Sequence, residues 1–326
     1  MDHPRSGLTL RTALGLVAAS MGLAVSNALP ADEPRPTLTT LVSPRPAGGD
    51  DVDAAHYQAI RVAQPGSSSL QTRREALAEL PLAGLTPIQS AKAQQVLNGL
   101  GLFRRLPTLA MEVDADVYRY LLSHPDVAVS TWRAMDISKF QLQPTAAGVY
   151  HADAGDGSVG TVEVWRSSAE ETVIYCDGAF KSPLLARPIV ARSIMRLKSR
   201  FYQDAEGTPH VEHTGDVFVE FPSQTVETVA RVVSPVSHMI ADRNFRQLTL
   251  YVHLMSQAMS RQPGWIRTIA RRMDSSDEQR TEFLSVAEKA HAANERRLGA
   301  SAEPLPVDAI LAPLRTVQRP TDVTVR

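Results

Sequence analysis

The chain predicts an α+β protein, an antiparallel curved sheet gripping a long C-terminal helix. Three observations predict it. From residue 108 to 260 the order reads one short strand, two brief helices, about five strands and a long amphipathic helix. In the last strand Val211, His213, Gly215, Val217, Val219 and Phe221 share one face, while Glu212, Thr214, Asp216 and Glu220 lie mostly on the other. That alternation suits a sheet with one buried face. In the helix after it, Val229, Val233, Val236, Ile240, Leu248, Val252, Met255 and Met259 recur at helical steps.

The elements follow in order. Residues 32–70, with Pro30, Pro34, Pro36, Pro44, Pro46 and Pro65 in or beside them, read as a disordered linker, with a short helix around 52–62. Residues 71–107 form an N-terminal helical extension. Within it, Thr86-Pro87-Ile88-Gln89 supplies a capping box with proline at the first helical position. Gly99 and Gly101 end that helix, and Arg104 and Arg105 follow it. Thr108–Val113 reads as a strand and Ala115–Ser123 as a helix. Pro125 breaks that helix, and a second one runs to Ala134. Lys139–Gln143 and Gly148–Ala152 read as one strand or two. Val159–Arg166, Thr172–Cys176, 191–203 and 209–221 are the next strands. The long helix is expected over Gln224–Met259, kinked or split at Pro235. Residues 261–300 form a C-terminal helical extension, opened by Ser275-Ser276-Asp277-Glu278, and 301–326 a tail.

Address and bulk properties narrow the function classes. Arg5 and Arg11 flank an apolar run over residues 12–25, which predicts a signal peptide over 1–31 and an exported protein, periplasmic or secreted. The run is too short for a convincing membrane span, so no clear anchor is encoded, although membrane contact stays open. A net charge of −1 gives no basic excess for nucleic acid. Cys176 is the single cysteine, which excludes an intramolecular disulfide; in its apolar strand it reads as a buried structural thiol.

The element order, the His124-Pro125-Asp126 break between paired helices, the Gly160–Gly178 hairpin and the terminal helix resemble the START-like, helix-grip superfamily over residues 108–260. The chain is also similar to a group of exported bacterial proteins containing segments such as Ile240-Ala241-Asp242-Arg243-Asn244-Phe245, a resemblance that brings no activity with it. The superfamily resemblance implies a container for lipids, sterols, polyketides or other apolar ligands, with some members enzymes. It supplies no shared catalytic motif, and fold analogy alone does not choose among these.

Several strings invite sharper chemistry. Gly155-Asp-Gly157-Ser-Val-Gly160 matches a dinucleotide fingerprint, but that motif must open a helix, and Thr161–Trp165 continues as a strand. His210-Val-Glu-His213 suggests a metal, yet strand positions three apart point to opposite faces. No cofactor or metal site is therefore expected. His213 falls on the apolar strand face and presents a titratable group to a cavity; a core histidine bonded to its neighbours is the alternative. Glu163 and Arg192 raise the same question, with an outer-face salt bridge as the plain account. His238 and Asp242 share a helix face and could act as an acid–base pair or bond the helix to the sheet. Trp132, Tyr150, Trp165 and Tyr175 are aromatics suited to a cavity wall or to ordinary packing.

The expected function is binding or carriage of an apolar or amphipathic small molecule, such as a lipid, in an internal cavity. The cavity candidates are Trp132, Tyr150, Glu163, Tyr175, Arg192, His213, Val217, His238 and Asp242. One alternative is an enzyme using the same cavity, with His213, Glu163 or His238–Asp242 as acid–base groups. Another is an interaction module whose core is filled by its own side chains.

Overall fold

A computed structural model describes residues 59–155, 157–180, 189–222 and 235–298. The expected signal peptide, the tail over 301–326, most of the linker and the helical segment before Pro235 lie outside the described residues. In chain order the elements are β1 (Ile60–Gln64), α1 (Leu70–Glu79), α2 (Pro87–Asn98), β2 (Leu100–Arg105), β3 (Thr108–Glu112), α3 (Ala115–Ser123), α4 (Pro125–Ala134), β4 (Gln141–Ala146), β5 (Val149–Asp153), β6 (Val159–Ser167), β7 (Glu171–Phe180), β8 (Ile189–Gln203), β9 (Pro209–Glu220), α5 (Pro235–Arg261), α6 (Pro263–Arg272) and α7 (Asp277–Leu298).

Local chemistry accounts for the helix ends. Thr86 and Gln89 exchange the two capping-box bonds, Gln89 N to Thr86 Oγ1 at 3.3 Å and Thr86 N to Gln89 Oε1 at 3.0 Å. Asp114 caps α3 by accepting from the backbone N–H groups of Asp116 and Val117. At α7 the box sits one residue later than the Ser275–Glu278 pattern suggests. Ser276 and Gln279 make the reciprocal bonds at 3.2 and 3.1 Å.

All strands pair antiparallel in one sheet of order β1-β3-β9-β8-β7-β6-β5-β4. β2 pairs with β9 as well, end to end with β3 along the same edge. Leu106 bridges the two, its N–H donating to Gly215 O at 2.8 Å. Two strands depart from the sequence reading. Residues 60–62 are strand rather than helix, because Ile60 and Val62 find a partner in β3. Leu100–Arg105 is strand where only the end of a helical extension was expected, because it pairs with Asp216–Glu220.

The sheet has two covered faces. On the inner face Met195, Val217, Val219 and Leu109 join Phe245, Leu250, Met255 and Met259 of α5 and Phe283 of α7 in the main core. Arg104 reaches across on this side and grips Asp242 of α5 through two N–H···O bonds, one at 3.0 Å. On the outer face Phe103, Val173, Tyr175, Ile194 and Phe218 pack under Ala76 of α1, Leu80 just after it, and Ala93 and Val96 of α2. The N-terminal helices thus cover the face that strand alternation alone would leave to solvent.

Candidate functional site

The inner face does not fill completely. A hollow of about 110 Å³ lies among α3, α4, the inner faces of β6–β9 and α5. Tyr118, Ala128, Trp132, Cys176, His213 and Thr249 are among its liners, and the rest of the wall is mostly aliphatic and aromatic. Leu122, Pro125, Val164, Leu248 and Val252 line it while keeping partial exposure.

Register explains the wall. Cys176 pairs with Val162 on one side and Ser193 on the other, and Ile174 with Val164 and Met195, so these residues share one face. Helical spacing supplies the other walls: Tyr118, Leu121, Leu122 and Pro125 from the α3–α4 pair, and Phe245, Leu248, Thr249 and Val252 from α5.

The polar groups of the wall form two short chains. Tyr118 Oη lies 2.7 Å from Ser199 Oγ and 3.0 Å from His213 Nδ1, and His213 Nε2 lies 2.9 Å from Thr249 Oγ1. Thr249 donates its hydroxyl hydrogen to Phe245 O at 2.8 Å. Counting donors fixes the rest. Thr249 Oγ1 has one hydrogen and has used it, so it accepts from His213 Nε2–H. Nδ1 is then an acceptor, so Tyr118 donates to it, and Ser199 donates to Tyr118. In the second chain Thr131 donates to Ala128 O at 2.7 Å, and Tyr251 donates to Thr131 Oγ1 at 2.7 Å. Tyr251 Oη also lies 3.3 Å from Ala128 O, and the Trp132 ring stands edge-on to Tyr251.

Burial sets the ionisation states. His213 is pulled down to about 3 because its imidazolium would stand in an apolar wall. The Tyr118 and Tyr251 hydroxyls are pushed up by the same desolvation, offset only in part by their hydrogen bonds. At neutral pH the wall is uncharged.

Of the sequence candidates, Trp132 and His213 line the hollow. Tyr150 and Val217 lie on the inner face in the core beside it. Tyr175, Glu163 and Arg192 lie on the opposite face, which corrects their placement as cavity candidates. Glu163 pairs with Tyr175 across β6 and β7, so both point outward. There Glu163 meets Lys92 of α2 and accepts from Trp165 Nε1 at 2.9 Å. Tyr175 stacks on Trp165 at 4.8 Å. Arg192 bonds Asp177 at 3.1 Å and Glu220 at 3.5 Å. His238 and Asp242 do not act as a dyad, since both Asp242 oxygens are taken by Arg104. Burial and then the Arg104 charge lower His238, against the pull of Asp242. Tyr118, Thr249 and Cys176 were not among the candidates; the stripes Tyr118-Leu121-Leu122-Pro125 and Phe245-Leu248-Thr249-Val252 were the available signal.

The other strings resolve in structural terms. Gly155 and Gly157 turn the β5–β6 connection with φ of 75° and 92°. A Cβ on Gly160 would meet Asp177 O at 2.8 Å, so this glycine lets β6 lie against β7. His210 bonds Thr208 O at 2.9 Å on the face opposite His213. Among the described residues no three His, Cys, Asp or Glu side chains gather as a metal site would require. No helix among them is long and apolar enough to cross a membrane. No protein-family model and no curated protein matches the chain.

Proposed function

We propose that the protein binds a small apolar molecule, or the hydrocarbon end of an amphipathic one such as a lipid, in the hollow between sheet and α5. The observation that carries this reading is the hollow itself, an uncharged and mostly apolar space left where α3, α4 and α5 meet the sheet. An apolar cavity of roughly 150 Å³ stays dry and admits benzene, so about 110 Å³ suits a small ring or a few carbons of a chain. Drug-sized sites run from about 300 Å³ upward, so a whole lipid would require the half-buried liners Leu122, Leu248 and Val252 to move apart.

The START-like assignment belongs to the same proposal. Its support is the path β3, α3, α4, β4 to β9 and α5, with the first of those strands beside the last in the sheet. Export likewise rests on Arg5, Arg11 and the apolar run over 12–25. Recovery of only full-length chain from the cytoplasm of expressing cells would remove it.

Binding is better supported than catalysis. His213 and Tyr118 are within hydrogen-bond reach, but burial moves both away from neutral pH, whereas a working acid or base needs a pKa near it. The test is uptake. Lipids and small hydrocarbons extracted from purified protein should be identifiable by mass spectrometry, and toluene should raise the unfolding temperature. Ala128→Leu adds bulk to the hollow from α4, where leucine is a good helix former. It should abolish that rise while the chain stays folded. An unchanged response to toluene in Ala128→Leu places binding elsewhere.

A further inference from the structure

Among the described residues, the hydroxyls and the imidazole of the wall offer a ligand no spare donor. Ser199 donates to Tyr118, Tyr118 to His213, His213 to Thr249 and Thr249 to Phe245 O, as the donor count requires. Tyr251 donates to Thr131 and Thr131 to Ala128 O, and the Trp132 indole stands edge-on to Tyr251. The backbone N–H groups of the wall strands belong to the sheet ladders. The Cys176 thiol is not free, and a thiol is in any case a weak donor.

We propose that the hollow discriminates against hydrogen-bond acceptors: it takes a hydrocarbon ring or chain end and rejects a molecule of the same size that would bury a carbonyl or carboxylate there. This rests on the binding reading above and narrows its ligand class. The physical reason is asymmetry. An acceptor brought in from water loses its hydrogen bonds and meets hydroxyl and imidazole hydrogens that are already given, whereas a hydrocarbon loses nothing. An amphipathic ligand must therefore enter hydrocarbon first and leave its head group outside. The chain through His213 also names the specificity switch. Thr249 is what keeps Nε2–H occupied, so removing its hydroxyl and methyl gives the hollow both a donor and room.

The experiment compares toluene, benzaldehyde and benzoate, near-equal in size, on the full chain by calorimetry and thermal unfolding. Toluene should bind at least about tenfold more tightly than benzaldehyde, the ratio expected for one unmade buried hydrogen bond, and benzoate more weakly still. In Thr249→Ala, benzaldehyde should gain about tenfold relative to toluene through the freed Nε2–H. Equal binding of toluene and benzaldehyde by the parent overturns the discrimination and leaves binding standing. A folded Thr249→Ala chain with the parent's ranking assigns the preference to shape and overturns it too. If that variant does not fold, the parent's ranking decides alone. Silence from all three probes in the parent overturns the binding reading and this one with it.

Discussion

The two faces of the sheet are built from alternate residues of the same strands and solve polarity in opposite ways. Outside, Arg105 grips the fully buried Asp216 at 2.6 and 3.0 Å, and Arg196 bonds Glu171 and Glu79 at 2.7 and 2.9 Å. Around the hollow, one residue along each strand, the polar groups are hydroxyls and a neutral imidazole. The difference follows from what each face packs against. The outer face lies under α1 and α2, which bring Glu75, Glu79 and Lys92 as partners. The hollow's wall offers aliphatic and aromatic surface, where an ion would lose its hydration without recompense. Ion pairs therefore add to apolar packing where the N-terminal helices meet the sheet, and neutrality keeps the hollow fit for an apolar guest.

The largest expected effect is on the outer face. Asp216→Ala leaves Arg105 without its buried partner, and breaking such a pair costs about 3–5 kcal/mol. A fall in the urea midpoint with an unchanged slope checks this. A loss below about 1 kcal/mol would show that Arg105 re-pairs with Glu75 and that the buried pair matters little.

Next comes pH on the inner face. The native fold refuses a proton at His213 down to about 3, while the unfolded chain takes one near 6.5. Between those values the unfolded state binds more protons, so stability is full above pH 6.5 and declines as pH falls. The slope is about 1.4 kcal/mol per pH unit for this one group, or roughly 2 kcal/mol by pH 5. The lowered His253 and His238 act in the same direction. His213→Gln, which keeps a neutral polar group, should flatten the decline in unfolding curves taken from pH 7 to 5. An identical decline in that variant would locate the acid sensitivity elsewhere.

Tyr118→Phe ranks third. It leaves His213 Nδ1 and Ser199 without their shared hydroxyl, at about 1–3 kcal/mol. If this substitution destabilises as much as Asp216→Ala, the contrast between neutral and charged faces fails. The smallest effect is expected at Lys92→Met. Its ion pair with Glu163 is a third exposed on the lysine side, and such pairs contribute about 0–1 kcal/mol. Methionine removes the ammonium that stands 5.1 Å from the Tyr175 ring centroid but keeps a flexible apolar chain there. Thermal unfolding should hardly change, and a drop comparable to that of Tyr118→Phe would mean that the outer face depends on charge more evenly than its burial suggests.

Much of the fold could be read from local chemistry, because caps, turns and periodicity are encoded within a few residues. Thr86 to Gln89 and Asp114 start helices from contacts three residues apart. The alternation Val211-His213-Val217-Val219 set the apolar face of β9, and those four residues are indeed buried. An outer-face salt bridge is the plain account of Glu163, and the register of β6 bears it out. What the strand did not contain was the cover over Glu163, since α2 lies far from β6 in sequence. β1 and β2 were missed for the same reason. A short segment such as Ile60–Gln64 gains its strand hydrogen bonds only when β3 is beside it.

The sequence by itself determined which residues alternate and where capped helices such as α2 start, because these depend on backbone period and on side-chain chemistry alone; it did not separate Trp132 and His213 from the other cavity candidates. Only the tertiary structure decided which face of the sheet kept a hollow, and that Tyr118, Cys176 and Thr249 stand in its wall beside His213. The hydrogen-bond chain joins β8, α3, β9 and α5, so no segment contains more than a fragment of it. Its direction, and the neutral imidazole it holds, follow from packing four distant elements around one mostly apolar space.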